Sequence, residues 1–328
     1  MSDFDHVIIG FGLAGAALEC ELTKRGDRVL VVDRDEPITS SKIAAGLLTP
    51  ITGRRFATTP GWRELRPAAE RFYRSVEAEC GESLFHTAGA LRLFSDADER
   101  ERFEARRHTI TDLAADSGSI PDTLNAPFGG YRMPPSARLD VAAFLATRRR
   151  VVGDRFRIAD VEPSDIGIAP GKVRLPDGTI ASTVTFCCGF HPKPNPWFPG
   201  IRFEAAKGEM LLLRIPGLSL SQTIHAAGIW LAPAPGGCFR AGATYDWDDL
   251  SRTPTIAGRE WVEERLRRFL TCEFEVVEHL AAVRPIVHGR QPIVETNPQH
   301  ANVRMINGLG SKGSLHAPSL AGQLIGDL

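Results

Sequence analysis

Apolar residues come along this chain first in short unbroken runs and later in alternation. "HVII" (6–9) and "VLVVD" (29–33) are continuous apolar runs, the pattern of parallel strands buried on both faces. Between them "LAGAALECELTKR" keeps helical spacing and halts at Gly26, a common C-terminal stop. The opening thus predicts a βαβ unit. Residues 38–56 then lose periodicity among Ser, Gly and Pro. Helical spacing returns in "WRELRPAAERFYRSVEAEC" (62–80), and a strand is expected in "GALRLF" (89–94). "SDADERERFEARRHTI" (95–110) predicts a charged helix opened by a Ser95–Asp98 capping pair.

Further on, "PPSARLDVAAFLATRRR" (134–150) predicts a helix capped near Asp140, with cations in its last turn. "LPDGT" (175–179) marks a turn, and "TVTFCCGF" (183–190) a buried strand ending in glycine. "KPNPWFPG" breaks the chain near residue 195. Residues 201–247 read as β-structure, a helix follows near 256–270, and the tail runs strand, glycine loop, helix. This order implies interleaved domains, with the chain leaving a Rossmann-type core and re-entering it twice.

Composition changes this picture little. With 39 basic against 40 acidic residues, no global field steers the chain towards nucleic acid or an anionic membrane, although local basic clusters ("TGRRF", "ATRRR", "ERLRRF") leave a nucleic-acid partner open. No apolar run reaches membrane-spanning length, and "MSDFDH" enters the first strand without a signal-peptide pattern. Six scattered cysteines without CxxC read as reduced residues of a cytoplasmic protein, with Cys187–Cys188 on a buried strand, and no cluster has metal-ligand spacing.

The candidate chemistry sits in two glycine patterns. Gly10, Gly12 and Gly15 form GxGxxG between the first strand and helix, with roles in the tight turn, the pyrophosphate approach and helix–strand packing respectively. Asp33, ending the second strand, suits an adenosine ribose. NAD and FAD both fit this unit. The tail repeats the pattern in "GLGSKG" (308–313), where a helix N-terminus would favour an anion. A reduced flavin offers that second anion at N1 and the C2 carbonyl, so one FAD held at both ends is the economical reading.

The blocks "VIIGFGLAGAALECELTKRGDRVLVVDRD", "SSKIAAGLLTP", "ARLDVAAFL", "KGEMLLL", "GIWLAPAPGGCFRAGATYDW", "VRPIVHGRQPIV" and "GLGSKGSLHAP" together resemble the D-amino-acid-oxidase type of FAD-dependent oxidoreductases, in a compact bacterial-type form. The resemblance spans nearly the whole chain. It implies an α/β fold in which a Rossmann-type FAD-binding domain (1–55, 135–198 and 281–328) is interleaved with an α+β, mixed-sheet substrate domain (56–134 and 199–280).

By position it implies Leu13 and Ala14 at the pyrophosphate and Asp33 and Arg34 at the adenosine. Ser41, Lys42, Ala45, Gly46 and Leu47 would pass the phosphates and flavin, and Val161 would meet adenine through its backbone. Cys188 and Gly189 join the cofactor residues, and Gly310, Ser311, Lys312, Gly313 and Ser314 would line the flavin's pyrimidine edge. Near "VRP" there is Arg284 and no cysteine, so FAD is expected to be non-covalent.

The implied reaction oxidises a C–N bond of a small-molecule amine or amino acid, with O2 or another electron acceptor downstream. Arg284 would grip a carboxylate, the alternative being an arginine that bonds nearby carbonyls. Lys312 would assist the flavin anion or a substrate acid, or stand solvated. Tyr245 would reach the substrate or pack in its strand, and Lys207 would lie near the flavin or in a turn. Glycine oxidases keep an arginine where Ser311 stands; "GLGSKG" is nearer to the oxidase domain of a wobble-uridine tRNA-modifying enzyme, which makes a modified tRNA nucleoside the rival substrate. A flavin-binding subunit without turnover is the other alternative, and an NAD dehydrogenase a more distant one.

Overall fold

The computed structural model describes residues 2–326; residue 1 and residues 327–328, the outer ends of the expected FAD-binding segments, lie outside them. The chain is a mixed α/β structure built on two eight-stranded sheets. The first carries the parallel order Phe156–Ile158, Val29–Asp33, Phe4–Ile9, Ile180–Phe186 and Val303–Asn307, with Ile293–Thr296 antiparallel at the far edge. A hairpin, Gly167–Ala169 with Lys172–Arg174, pairs with the opening of Ile180–Phe186 and turns at Leu175–Thr179.

The unbroken apolar runs are explained by burial on both faces. Ile8, Val29 and Val31 point into a core shared with the helices, while Val7, Ile9, Leu30 and Val32 point into a second core on the opposite face. On the first face lie α1 (Leu13–Arg25), α2 (Trp62–Cys80), α4 (Val141–Val152) and α6 (Gly313–Gly326). The remaining helices are α3 (Ala97–Arg107) and α5 (Ile256–Phe269).

Two details differ from the sequence reading. α3 is capped by Asp96, whose carboxylate accepts from the Glu99 N–H at 2.6 Å, while Glu99 accepts from the Ser95 N–H at 2.8 Å. The reciprocal pair is therefore shifted one residue from Ser95–Asp98, because Glu99 has the longer arm needed to reach back. Cys187 and Cys188 stand just past the end of Ile180–Phe186, not within it.

The second sheet runs Glu275–Arg284, Ala206–Arg214, Cys238–Gly242, Ile229–Ala234, Thr223–Ala226, Ala90–Leu93, Gly130–Met133, Ala115–Asp116. It is mixed, since Thr223–Ala226 pairs parallel with Ala90–Leu93. One face packs Leu211, Leu231 and Ala241 against Val262 and Leu266 of α5. The other turns Met210, Trp230 and Ala282 towards Ile43. Glu275–Arg284 stays paired with Ala206–Arg214 to its last residue, so the chain passes back to the first sheet after Arg284. α2, whose sequence lies in the segment 56–134, packs on α6, and Tyr73 Oη donates to the Ser314 carbonyl at 2.9 Å.

The first and last helices meet. α1 packs along α6, and a Cβ on Gly313 would come within 2.8 Å of Leu13 Cδ1, so a side chain there would have to push that leucine aside.

Candidate active site

Between the two sheets lies a cavity of about 1500 Å³. The first strand delivers Gly10 to its wall, and α1 opens there at Gly12, which has no side chain of its own to cap the helix; a helix N-terminus at a cavity wall attracts a phosphate. A Cβ on Gly12 would meet Ser41 Oγ at 2.8 Å, and that hydroxyl accepts from the Leu13 N–H at 3.1 Å. Asp33, at the end of its strand, accepts from the Phe11 N–H at 2.6 Å and the Asp35 N–H at 2.7 Å. Its carboxylate thus already braces the glycine turn.

Leu13, Ala14, Arg34, Ser41 and Lys42 line this end, and Ala45, Gly46 and Leu47 carry the wall towards the second sheet. Arg34 Nη1 lies 3.4 Å from Glu36, and Lys42 Nζ bonds Asp35 at 2.9 Å. Cys188 and Gly189 close the wall behind Gly10, with burial pushing the Cys188 thiol up to about 12. Gly310, Ser311, Lys312, Gly313 and Ser314 enter from the tail.

Two residues expected at the cofactor are absent from this wall. Gly15 faces back onto the strand, where a Cβ would sit 2.0 Å from the Gly10 carbonyl; it serves helix–strand packing. Val161 lies beyond the strand Phe156–Ile158 and, half-buried, packs its side chain on the core of the opposite face.

On the second sheet Arg284 and Tyr245 reach the cavity. Arg284 Nη1 donates to the Lys207 carbonyl at 3.2 Å and the Thr244 carbonyl at 3.1 Å, and its guanidinium stacks 4.0 Å from the Tyr245 ring centroid. Burial lowers the Arg284 pKa, opposed by Tyr245. The structure shows Arg284 bonding nearby carbonyls, the second of its sequence alternatives, and the residue also lines the cavity.

Lys312 Nζ donates to Thr59 Oγ1 at 2.8 Å and has no carboxylate at ion-pair distance among the described residues. Desolvation lowers its pKa to about 8. His316, one helical turn on, is off the wall and lowered to about 4 by burial and then by Lys312. His288 bonds Glu204 at 2.6 Å, also away from the cavity.

Lys207 corrects both of its sequence alternatives. It is a fully buried strand residue whose ammonium bonds Asp249 at 2.6 Å and the Thr253 carbonyl at 2.5 Å, and it does not line the cavity. Sequence reasoning missed Met210, Trp230 and His225, which share the cavity-facing side of the second sheet. Burial, and to a lesser degree Arg92, holds His225 neutral with a pKa of about 3. Alternation along "TIHA" and "GIWLA" was the signal for their facing, but not for which face meets a cavity.

The residues fit a long dinucleotide. The α1 N-terminus, the Cβ-free approach at Gly12 and the tail loop packed beside them line one cavity wall.

Comparison with known proteins agrees with this fit. The family model for FAD dependent oxidoreductases (DAO) matches residues 5–328. An uncharacterized oxidoreductase, YurR, of Bacillus subtilis is 24% identical, over 97% of this chain and 93% of its own length. The tRNA 5-methylaminomethyl-2-thiouridine biosynthesis bifunctional protein of Burkholderia thailandensis is 27% identical over 81% of this chain, which matches only 43% of that protein. Among solved structures, glycine oxidase from Geobacillus kaustophilus superposes with a TM-score of 0.82 at 22% identity, over 99% of this chain and 94% of that one. Iminodiacetate oxidase from Chelativorans sp. BNC1 gives 0.79 at 22% identity, over 98% and 94%. The family match over nearly the whole chain leads to one conclusion: the chain belongs to the FAD-dependent oxidoreductases of the DAO family.

Proposed function

We propose that this oxidoreductase oxidises the C–N bond of a small amino acid or secondary amine. The carrying observation is Arg284, a guanidinium without a carboxylate partner among the described residues, held at the cavity wall by two carbonyls and the Tyr245 ring. Anchored on one side, it meets a substrate carboxylate with little rotamer freedom left to lose. Bound FAD supplies the two-electron acceptor for the hydride that leaves the carbon beside nitrogen. The amine sheds its proton to solvent, the product imine takes up water, and it splits to a carbonyl compound and the released amine. Met210 and Trp230 offer an apolar wall that excludes water from the reacting carbon. Lys312 adds a cation from the tail loop, either to the flavin's pyrimidine edge or to a substrate acid. We propose that the FAD-binding part comprises 1–55, 135–198 and 281–328, with 56–134 and 199–280 shaping the substrate side.

The test is anaerobic mixing with a panel of amino acids and secondary amines, monitored as bleaching of the flavin band. Wild-type protein should be bleached by at least one carboxylate-bearing amine, and Arg284→Ala should raise the KM for it roughly tenfold to a hundredfold. No bleaching by any amine would end the proposal in favour of a flavin-binding subunit without turnover. The second reading, a modified tRNA nucleoside, draws on the likeness to the bifunctional tRNA-modifying protein; a salt-sensitive tRNA gel shift would favour it.

A further inference from the structure

The cavity does not end at the cofactor cradle. Its wall continues along the second sheet to a far part lined by Arg54, Arg92 and Arg102, from three separate segments. Arg92 Nη1 donates to the Gly53 carbonyl at 3.0 Å, which sets the Arg54 loop beside it, and its Nη2 pairs with Glu99 of α3 at 2.6 Å. Arg102 follows Glu99 by one helical step on the same element. Past the turn at Ala227–Gly228 the wall continues to Arg265, whose guanidinium stacks 3.5 Å from the Trp261 ring centroid, and to Arg268.

Charge in this part does not cancel. Glu99 is used by Arg92, Asp96 caps α3, and Arg268 is paired with Glu264. Arg54, Arg102 and Arg265 have no carboxylate at ion-pair distance among the described residues. Three guanidiniums without a carboxylate partner on one cavity wall leave a positive potential that favours an anion there. Arginine also presents the planar fork that fits a carboxylate or phosphate.

Distance decides what could use both ends. Arg92 and Arg284 share a face of the second sheet, on strands separated by four others. Five inter-strand gaps amount to ~24 Å along the sheet, before the two side chains reach inward. A molecule the size of glycine touches one end only.

We propose that the preferred substrate is an elongated amine that carries a second anionic group, carboxylate or phosphate, far from the reacting carbon, and that Arg54 and Arg102 bind it. This rests on the amine-oxidation reading and adds the substrate's length and far charge to it.

The test uses N-(carboxyalkyl)glycines of increasing linker length, each beside its analogue with the far carboxylate capped as an amide, and a matching pair ending in phosphate. Binding is read as a change in intrinsic tryptophan fluorescence, since Trp230 and Trp261 both line the wall, and turnover as anaerobic flavin reduction. Wild-type kcat/KM should rise with linker length and exceed that of the capped analogue about tenfold or more, and the phosphate pair shows which anion is preferred. In Arg54→Gln/Arg102→Gln, two exposed replacements, the uncapped-to-capped ratio should fall towards one. Equal efficiency of capped and uncapped compounds, or a ratio that survives in the double variant, overturns the inference and leaves amine oxidation standing. Tight, charge-dependent binding of the diacids without flavin reduction overturns amine oxidation while the anion site stands. Displacement of the diacids by low concentrations of tRNA, with steep salt dependence, overturns the small-molecule assignment.

Discussion

Lys312 is a cation whose charge can be switched within the working range of an enzyme. Burial without a carboxylate partner lowers its pKa from 10.5 to about 8, so it is cationic below that pH and neutral above it. Arg284 keeps its charge across this window despite its own lowering by burial. Binding of a simple carboxylate inhibitor, which has no amine to titrate, should therefore weaken roughly fivefold to tenfold as pH rises from 7 to 9. Lys312→Met should bind more weakly at pH 7 and lose that slope, whereas Lys312→Arg should bind evenly across the range. An unchanged slope in Lys312→Met would show that another group carries the pH effect.

At the level of elements, the helical layer is tied by a buried ion pair. Arg148 of α4 meets Glu19 of α1 at 2.7 and 3.0 Å, with both side chains almost wholly buried. Arg148→Met should cost about 3–5 kcal/mol, because it strands the Glu19 carboxylate away from water. Arg148→Met with Glu19→Leu should recover most of that loss, since an apolar pair needs no compensation. Urea unfolding midpoints measure both; a single variant within about 1 kcal/mol of wild type would mean that water or Lys24 rescues Glu19. Most of these elements were legible in the sequence, because a strand buried on both faces and a helix with one apolar stripe leave different periodicities. "HVII", "VLVVD" and "WRELRPAAERFYRSVEAEC" are such cases. Partners were not legible. Nothing in the spacing of 62–80 shows that Tyr73 bonds Ser314, 241 residues away, or that Lys207 finds Asp249. The cofactor end of the site could be read because one local motif builds it. The arginine-lined wall could not, because Arg54, Arg92, Arg102 and Arg265 come from segments that meet only after the second sheet has formed.

For the whole molecule, the two glycine patterns become one site because α1 and α6 lie side by side and Gly313 abuts Leu13. A cofactor spanning both loops links the first element of the chain to the last, and a ligand that binds only the folded state stabilises it by mass action. Its attachment should be non-covalent. The cavity's thiols, buried Cys187 and half-buried Cys188, both have raised pKa values, so neither supplies a thiolate to bond the flavin, and the imidazole of His225 lies beside Arg92. Acid precipitation should leave a colourless pellet and free FAD in the supernatant. The gently prepared apoprotein should melt roughly 5 °C or more below the holoprotein and recover on adding FAD, because each kcal/mol of binding energy moves Tm by a few degrees at this size. A yellow pellet would place a covalent bond where neither cavity thiol offers a thiolate among the described residues. An apoprotein that melts unchanged would mean that α1, α2 and α6 hold the two loops together without the cofactor, through helix packing and the Tyr73–Ser314 bond.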